Sequence, residues 1–412
     1  MGLTLVGFVL VVPLFLPGLL RALRPLLARW RSAEGRMAFR RLDRRRVRTA
    51  LTVGVLFMAV AVGIGVGNSI LSSVRDVGDW YERTLTADFY VRAAMPDTGT
   101  ATTAQVPETV GEALARIDGV RHVSRLRFLP ARTQGHPIMV LALDFHPSMP
   151  LSLDVASGDR AAVLRGLVAG DVVLATVLAR RFGLGVGDSI ALETPSGARP
   201  FRVAGTVTEY TVGGAVVYMD YEAARRALGF TGVDVYLVRA RPETRERVGA
   251  ETAAVAAANA CIFQTNADLR VAVDRMMDGV VGLLWALLAL VFFVAALGVV
   301  NTMTMSVLEQ TRELGVLRSV GLTRGQALRL VLAEAASLGF LSVVPGAVGG
   351  LLMALLFGLA QYPLTGHPVD VAIDGTLVAG CLLVAVLTAV AAALPAALRA
   401  ARLRVVEALQ YE

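Results

Sequence analysis

The 412-residue chain contains no lysine, and all forty of its basic side chains are arginine. A phosphate-binding loop of the G-x-x-x-x-G-K-[ST] type needs a lysine, so this chain does not hydrolyse ATP by that route. Cysteine occurs twice, at Cys261 and Cys381. Cys381 lies inside an apolar run, so no structural disulfide between the two is expected. The four histidines, His122, His136, His146 and His367, form no i,i+4 pair and no H-E-x-x-H pattern. The sequence therefore offers no zinc site. Gly187-Asp-Ser189-Ile-Ala191 approaches the G-x-S-x-G elbow but lacks the last glycine. It also follows a Gly-rich turn and precedes a strand, the reverse of the strand-to-helix setting that elbow requires. Ser189 is read as a turn residue. No catalytic residue, cofactor-binding residue or metal ligand is assigned.

Charged residues are only 18% of the chain and hydrophobic residues 55%, more apolar than a soluble domain. The net charge of +7 is concentrated in one place. Residues 21–48 hold eleven arginines against Glu34 and Asp43, a surplus of nine, which leaves the remainder at minus two. A single juxtamembrane block of this kind points to lipid headgroups and away from nucleic acid.

What is present is a set of long apolar runs. Residues 1–20 carry a run with Pro13 and Pro17, followed by Arg21 and Arg24, the reverse of signal-peptide polarity. At ~18 apolar residues it is either a short N-terminal spanning helix or an interfacial helix that does not fully cross. The segment 21–48 reads as an Arg-rich amphipathic stretch in the cytoplasmic headgroup layer. Thr49–Leu71 is a span, with Gly63 and Gly67 as a close-packing face. Residues 72–275 mix twenty-two arginines with twenty-three acids and read as an α+β domain outside the cytoplasm. Within it Glu108–Ile117 and Arg245–Ala258 read as helices. Asp88–Ala93, Val120–Phe128, Ile138–Asp144, Phe201–Thr208, Val216–Met219 and Val233–Arg239 read as strands, and Gly170–Ile190 as strand, helix, Gly-rich turn, strand. Residues 276–412 supply three more spans and a basic tail. In the middle one Pro345 marks an expected kink, Gly346 and Gly350 offer a second packing face, and Glu334 is the one acid deep in an apolar run. Glu334 is either a functional intramembrane acid or a side chain that reaches the cytoplasmic interface.

Between the second and third spans sits a charged island, Ser306–Gln326. Val307, Thr311, Leu314 and Leu317 recur at helical spacing, while Val316 and Arg318 break the stripe. Gly321 suits the left-handed residue that ends a helix. Thr323 followed by Gln326 reads as a capping box for the next one. The expectation is a short amphipathic helix over 306–321, either a docking element or an ordinary interfacial loop.

The segment Asn301-Thr-Met-Thr-Met-Ser-Val-Leu-Glu309-Gln-Thr-Arg312-Glu313-Leu-Gly315-Val-Leu-Arg318-Ser-Val-Gly321 resembles the signature of MacB/FtsX-type ABC transporter permeases. The stretch from Pro395 through Arg399, Arg402, Arg404 and Glu407 to Tyr411 is similar to that family's closing motif, with Val405 where proline is usual. Gly35 to Thr49 is similar to the Arg-rich junction of longer, duplicated permeases, so the chain resembles their C-terminal half. The resemblance implies a polytopic α-helical membrane protein of about five transmembrane helices, one N-terminal helix plus a four-span unit, with an inserted extracytoplasmic α+β domain.

It also implies a plasma-membrane permease subunit that binds no ATP itself. A partner ABC ATPase would dock on Glu309, Thr311, Arg312, Glu313, Gly315, Arg318 and Gly321 and drive shape changes of the outer domain. Lipids, lipoproteins, peptides or drugs would be exported or extracted. The other partners implied are a second permease half, as homodimer or heterodimer, and an extracytoplasmic adaptor. Two alternatives stand beside this: a non-transporting regulator of a cell-wall hydrolase, and an ion-coupled secondary transporter, for which only Glu334 is available.

Overall fold

A computed structural model describes residues 37, 46–93, 105–146, 152–365 and 372–403. The expected N-terminal helix at 1–20, nearly all of the 21–48 segment and the end of the basic tail lie outside the described residues. The chain divides into two compact units, with boundaries at Ser72/Ser73 and Gly279/Val280.

Helix α1 runs from Arg46 to Thr84 without a break, well beyond the expected end at Leu71. Apolar character stops at Leu71, but loss of hydrophobicity is not a helix stop. Residues 72–84 contain no proline, and Gly78, their only glycine, is tolerated inside the helix.

The mixed unit then follows as β1 (Phe89–Ala93), α2 (Glu108–Ala115), β2 (Val120–Thr133), β3 (His136–Leu143), β4 (Val155–Ser157), α3 (Arg160–Ala169), β5 (Val172–Ala175), α4 (Thr176–Phe182), β6 (Ser189–Thr194), β7 (Gly197–Val207), β8 (Val216–Asp220), α5 (Tyr221–Leu228), β9 (Val235–Ala240), α6 (Arg245–Ala258) and β10 (Cys261–Thr265). The strands form one sheet in the order β10-β1-β9-β2-β3-β8-β5-β7-β4, with β6 paired to β7. Most ladders are antiparallel, but β3/β8 and β5/β7 are parallel. The sheet is buried on both faces, as alternation shows. Val172, Leu174, Val217 and Met219 enter a core with Leu114 of α2, Tyr221 of α5 and Val248 of α6. Val173, Ala175, Val216 and Tyr218 enter a second core with Val163 and Leu167 of α3.

Helix α3 went unread in the sequence although its caps are orthodox. The Asp159 carboxylate accepts from the Ala162 N–H at 2.9 Å, and Gly170 closes the helix at φ 100°. The base of the unit is fastened by Asn266, whose side-chain amide donates to the carbonyls of Leu85 and Ala87, both at 2.9 Å.

The remaining helices are α7 (Asn266–Glu309), α8 (Thr311–Ser319), α9 (Arg324–Thr365) and α10 (Gly375–Arg402). Among the described residues, four helices, α1, α7, α9 and α10, are long and apolar enough to cross a membrane. Of these α1 is the most buried and α7 the least. Helix α9 continues through Pro345. The helical unit packs Leu56 and Ile64 of α1 with Leu288 and Phe292 of α7, Leu338 of α9 and the alanines of α10. Small residues set the closest approaches. A Cβ on Gly63 would lie 3.0 Å from Cys381 Sγ, and one on Gly67 2.7 Å from Leu377. On α9, a Cβ on Gly346 would meet Val60, and one on Gly350 would meet Ile64, each at 2.7 Å. The buried Asn68 joins α1 to the start of α10. Its Nδ2 donates to the Ile64 carbonyl at 2.8 Å, and its Oδ1 accepts from the Asp374 N–H at 2.6 Å.

Candidate functional site

The charged island is built differently from the single helix expected over 306–321. Helix α7 continues to Glu309, the chain breaks at Gln310, and α8 begins at Thr311. The break is stabilised by polar side chains that bond locally. Gln310 is buried and its Nε2 donates to Ser306 Oγ at 2.8 Å. The Thr311 hydroxyl donates to the Leu308 carbonyl at 2.7 Å. Helix α8 is then anchored by Leu314, 1% exposed in the core of the helical unit, and by Arg318, whose guanidinium donates to the Leu403 carbonyl. Its end is a left-handed Gly321 at φ 109°, with the Leu322 N–H donating to the Leu317 carbonyl at 3.0 Å. The capping box is present. The Thr323 N–H donates to Gln326 Oε1 at 3.0 Å and the Gln326 N–H donates to Thr323 Oγ1 at 3.3 Å.

These contacts sort the seven expected docking residues. Glu309, Arg312 and Glu313 are exposed. Thr311 and Gly315 are buried, Arg318 is spent on Leu403, and Gly321 makes the turn. Two residues missed in the sequence join the exposed face: Val316, read there as breaking the stripe, and Val320, which is 82% exposed. Arg312, Val316 and Val320 recur every fourth residue and so form one ridge. The only sequence signal for it was Val316 standing off the buried stripe. Glu334 is buried within the helical unit.

A second constellation lies in the mixed unit, where the last turns of α1 meet the loop after β7. Trp80 Nε1 donates to the Thr208 carbonyl at 2.9 Å, and the Trp80 and Tyr210 rings meet edge-on at 5.6 Å. The Tyr210 hydroxyl donates to Asp76. The neighbouring Glu209 is 3% exposed and accepts from the Thr211 N–H at 2.8 Å, from Thr211 Oγ1 at 2.7 Å and from the Tyr218 hydroxyl. Burial, reinforced by Glu209, pushes the Tyr218 hydroxyl well above the ordinary phenol range. At the loop tip Val212 is exposed at φ 49°, a left-handed conformation that costs a β-branched residue.

No catalytic grouping emerges among the described residues. Ser189 opens β6 on the surface, both cysteines are free thiols, and among the described residues no three His, Cys, Asp or Glu side chains converge as metal ligands. His122 and His146 do come together, with ring centroids 6.5 Å apart, a pairing the sequence did not reveal.

Comparison with known families supplies the frame for this geometry. A model of the MacB-like periplasmic core domain matches residues 48–255, half of the chain, and a model of the FtsX-like permease C-terminal region matches residues 285–405. The chain belongs to the MacB/FtsX-like family of ABC transporter permeases. An uncharacterised ABC transporter permease of Mycobacterium tuberculosis is 25% identical over 426 residues, covering 99% of this chain and 48% of that protein. The pyoverdine export ATP-binding/permease protein PvdT of Pseudomonas syringae pv. tomato is 35% identical over 154 residues, 37% of this chain and 21% of PvdT. The chain thus spans about half the length of the first relative and a fifth of the second. The solved extracellular domain of the noncanonic ABC-type transporter YknZ from Gram-positive bacteria matches 43% of this chain and 99% of that domain, at 20% identity and a TM-score of 0.31. As a permease of this family, the protein is a polytopic membrane protein whose large inserted domain is extracytoplasmic. One candidate span, α7, separates that domain from α8.

Proposed function

We propose that this permease converts ATP hydrolysis in a separate ATPase subunit into a shape change of its extracytoplasmic domain, and that the change drives export or extraction of a lipid, lipoprotein, peptide or drug. The observation that carries this reading is the division of labour in α8. One side is fixed by Leu314, Arg318 and the two caps, and the other presents Arg312, Glu313, Val316 and Val320. A rigid element with an exposed mixed apolar and charged ridge fits a protein partner. Force applied there enters α7 through the Gln310 break, and α7 is one uninterrupted helix back to Asn266. Helix α1 is likewise continuous to Thr84 and ends against the Thr208–Tyr210 loop.

A shape change suits this chain better than a polar channel. The buried Ser337 and Ser342 hydroxyls bond to carbonyls of their own helix, at 2.7 Å each. The name of PvdT, an exporter, supports efflux. The weakly buried α7 offers a face for assembly with a second permease half.

The test is co-expression with a P-loop ATPase encoded beside this chain. Wild type and Ser319→Ala are expected to retain the ATPase on purification, and Glu313→Arg and Val316→Asp to lose it while inserting normally. Retention by both of the latter would remove the docking role of α8.

A further inference from the structure

The extracytoplasmic domain holds a cleft that the coupling reading does not use. It lies at the end of the β2/β9 ladder, where His122 and Arg239 are direct cross-strand partners beside an irregularity in register. Side chains two apart on a strand share a face, so Ser124 stands on the same side as His122. With Thr86, Asp144 and His146 these residues line a cleft of about 480 Å³, open mouth included. Most of that space is open mouth, so the enclosed part admits a group of only a few heavy atoms.

The cleft is rich in hydrogen-bond donors and short of acceptors. Asp144 supplies its carboxylate, but that group is already engaged by Arg125. Its Oδ1 accepts from Arg125 Nη2 at 2.8 Å, and its Oδ2 from Arg125 Nε at 2.9 Å and from the Arg125 N–H at 2.7 Å. Arg125 is itself held by Glu222 at 3.0 Å and lies over the Tyr221 ring, so this ion pair is a fixed part of the wall. Arg239 spends one N–H on the Thr86 carbonyl at 2.9 Å and bonds no other described residue. A guanidinium carries five N–H donors, so most of its capacity remains for a bound group. His122 Nε2 is buried and has no partner among the described residues, a state that costs free energy unless a bound group repays it. Burial, with His146 and Arg239 adding to it and Asp144 opposing, holds the His122 imidazole below its ordinary pKa.

We propose that this cleft binds a small anionic group, a carboxylate or a phosphate, with Arg239 as its principal partner and His122 and Ser124 completing the donor set. A metal cation fits less well. Arg239 repels it, Asp144 is occupied, and no set of three ligands converges there among the described residues.

The scarcity of histidine makes the test clean. The full chain, labelled only at its four histidine rings and held in nanodiscs, is titrated at fixed pH with inorganic phosphate, with acetate and, separately, with zinc chloride. Saturable shifts of the His122 and His146 ring signals by phosphate or by acetate, with His136 unmoved, are expected, and the two arms tell which anion is preferred. Arg239→Gln is expected to weaken the saturable binding at least tenfold. His122→Gln, which leaves the Arg239–Thr86 contact in place, is expected to weaken it at least threefold as read at His146. An unmoved His136 signal reports that each variant is folded. The proposal is overturned if neither anion gives saturable shifts, if Arg239→Gln binds as wild type does, or if zinc alone saturates.

Discussion

The contact between α1 and the loop after β7 gives the most quantitative perturbation. Tyr210→Phe removes a hydroxyl that donates to the Asp76 carboxylate, a bond to a charged group worth about 1.5–3 kcal/mol. Trp80→Phe removes the donor to the Thr208 carbonyl and part of a ring that is 6% exposed, about 2 kcal/mol together. At about 1.4 kcal/mol per tenfold, the Tyr210 change should raise the open population of the loop by about 10–150-fold and the Trp80 change by about 30-fold. Hydrogen exchange by mass spectrometry on the full chain in nanodiscs should show that increase at residues 208–215. The segment Arg245–Ala258, in the other part of the core, should keep its protection. Unchanged exchange at 208–215, or an equal rise across both segments, would refute a local latch between α1 and this loop.

Two further outcomes concern packing and pH. Gly350→Val should destabilise the helical unit by about 1–3 kcal/mol, because the added carbon meets Ile64 at 2.7 Å and the Ala61 carbonyl at 3.1 Å. Gly380→Ala, with open space around it, should be neutral or slightly stabilising, and equal melting shifts in detergent would sink this contrast. Burial pushes Tyr90 and Tyr236 up to about 12, above the 10.0 of a free phenol. A raised folded-state pKa means that this contribution is intact below pH ~10 and is lost as pH climbs from there toward 12, at about 2–3 kcal/mol per tyrosine. Denaturant midpoints of the full chain should therefore hold steady from pH 7 to about 9.5 and fall beyond it. In Tyr236→Phe the fall should be shallower, and an unchanged slope would count against the assignment.

Local chemistry was the most legible part of the sequence. Helix α6 was read with both of its ends, the turn between α4 and β6 was recognised from its glycines, and Thr323, Gln326 and Gly321 announced the caps that bracket the loop after α8. Apolar runs located the four described spans because a bilayer leaves little choice about where ~20 consecutive apolar residues go. They misled at two boundaries: α1 stays helical for thirteen residues past Leu71, and α7 begins at Asn266, inside the stretch read as the outer domain. Helices α3 and α5 were missed because they are short and arginine-rich, though each lies between an aspartate N-cap and a left-handed glycine. The anion cleft was out of reach of sequence reading. His122 and Arg239 are 117 positions apart in the sequence and meet only through the β2/β9 register. Val316 looked like a flaw in a stripe, and Val320 drew no notice, until burial showed that the stripe and the ridge are opposite sides of one helix.

The most direct test of coupling places the permease and its ATPase in vesicles and follows hydrogen exchange in the extracytoplasmic domain with and without ATP turnover. Transmission from α8 through α7 and α1 predicts that turnover changes exchange at residues 208–215, and that Val316→Asp abolishes the change. Steady ATP hydrolysis by a bound ATPase with identical exchange throughout the outer domain would contradict it.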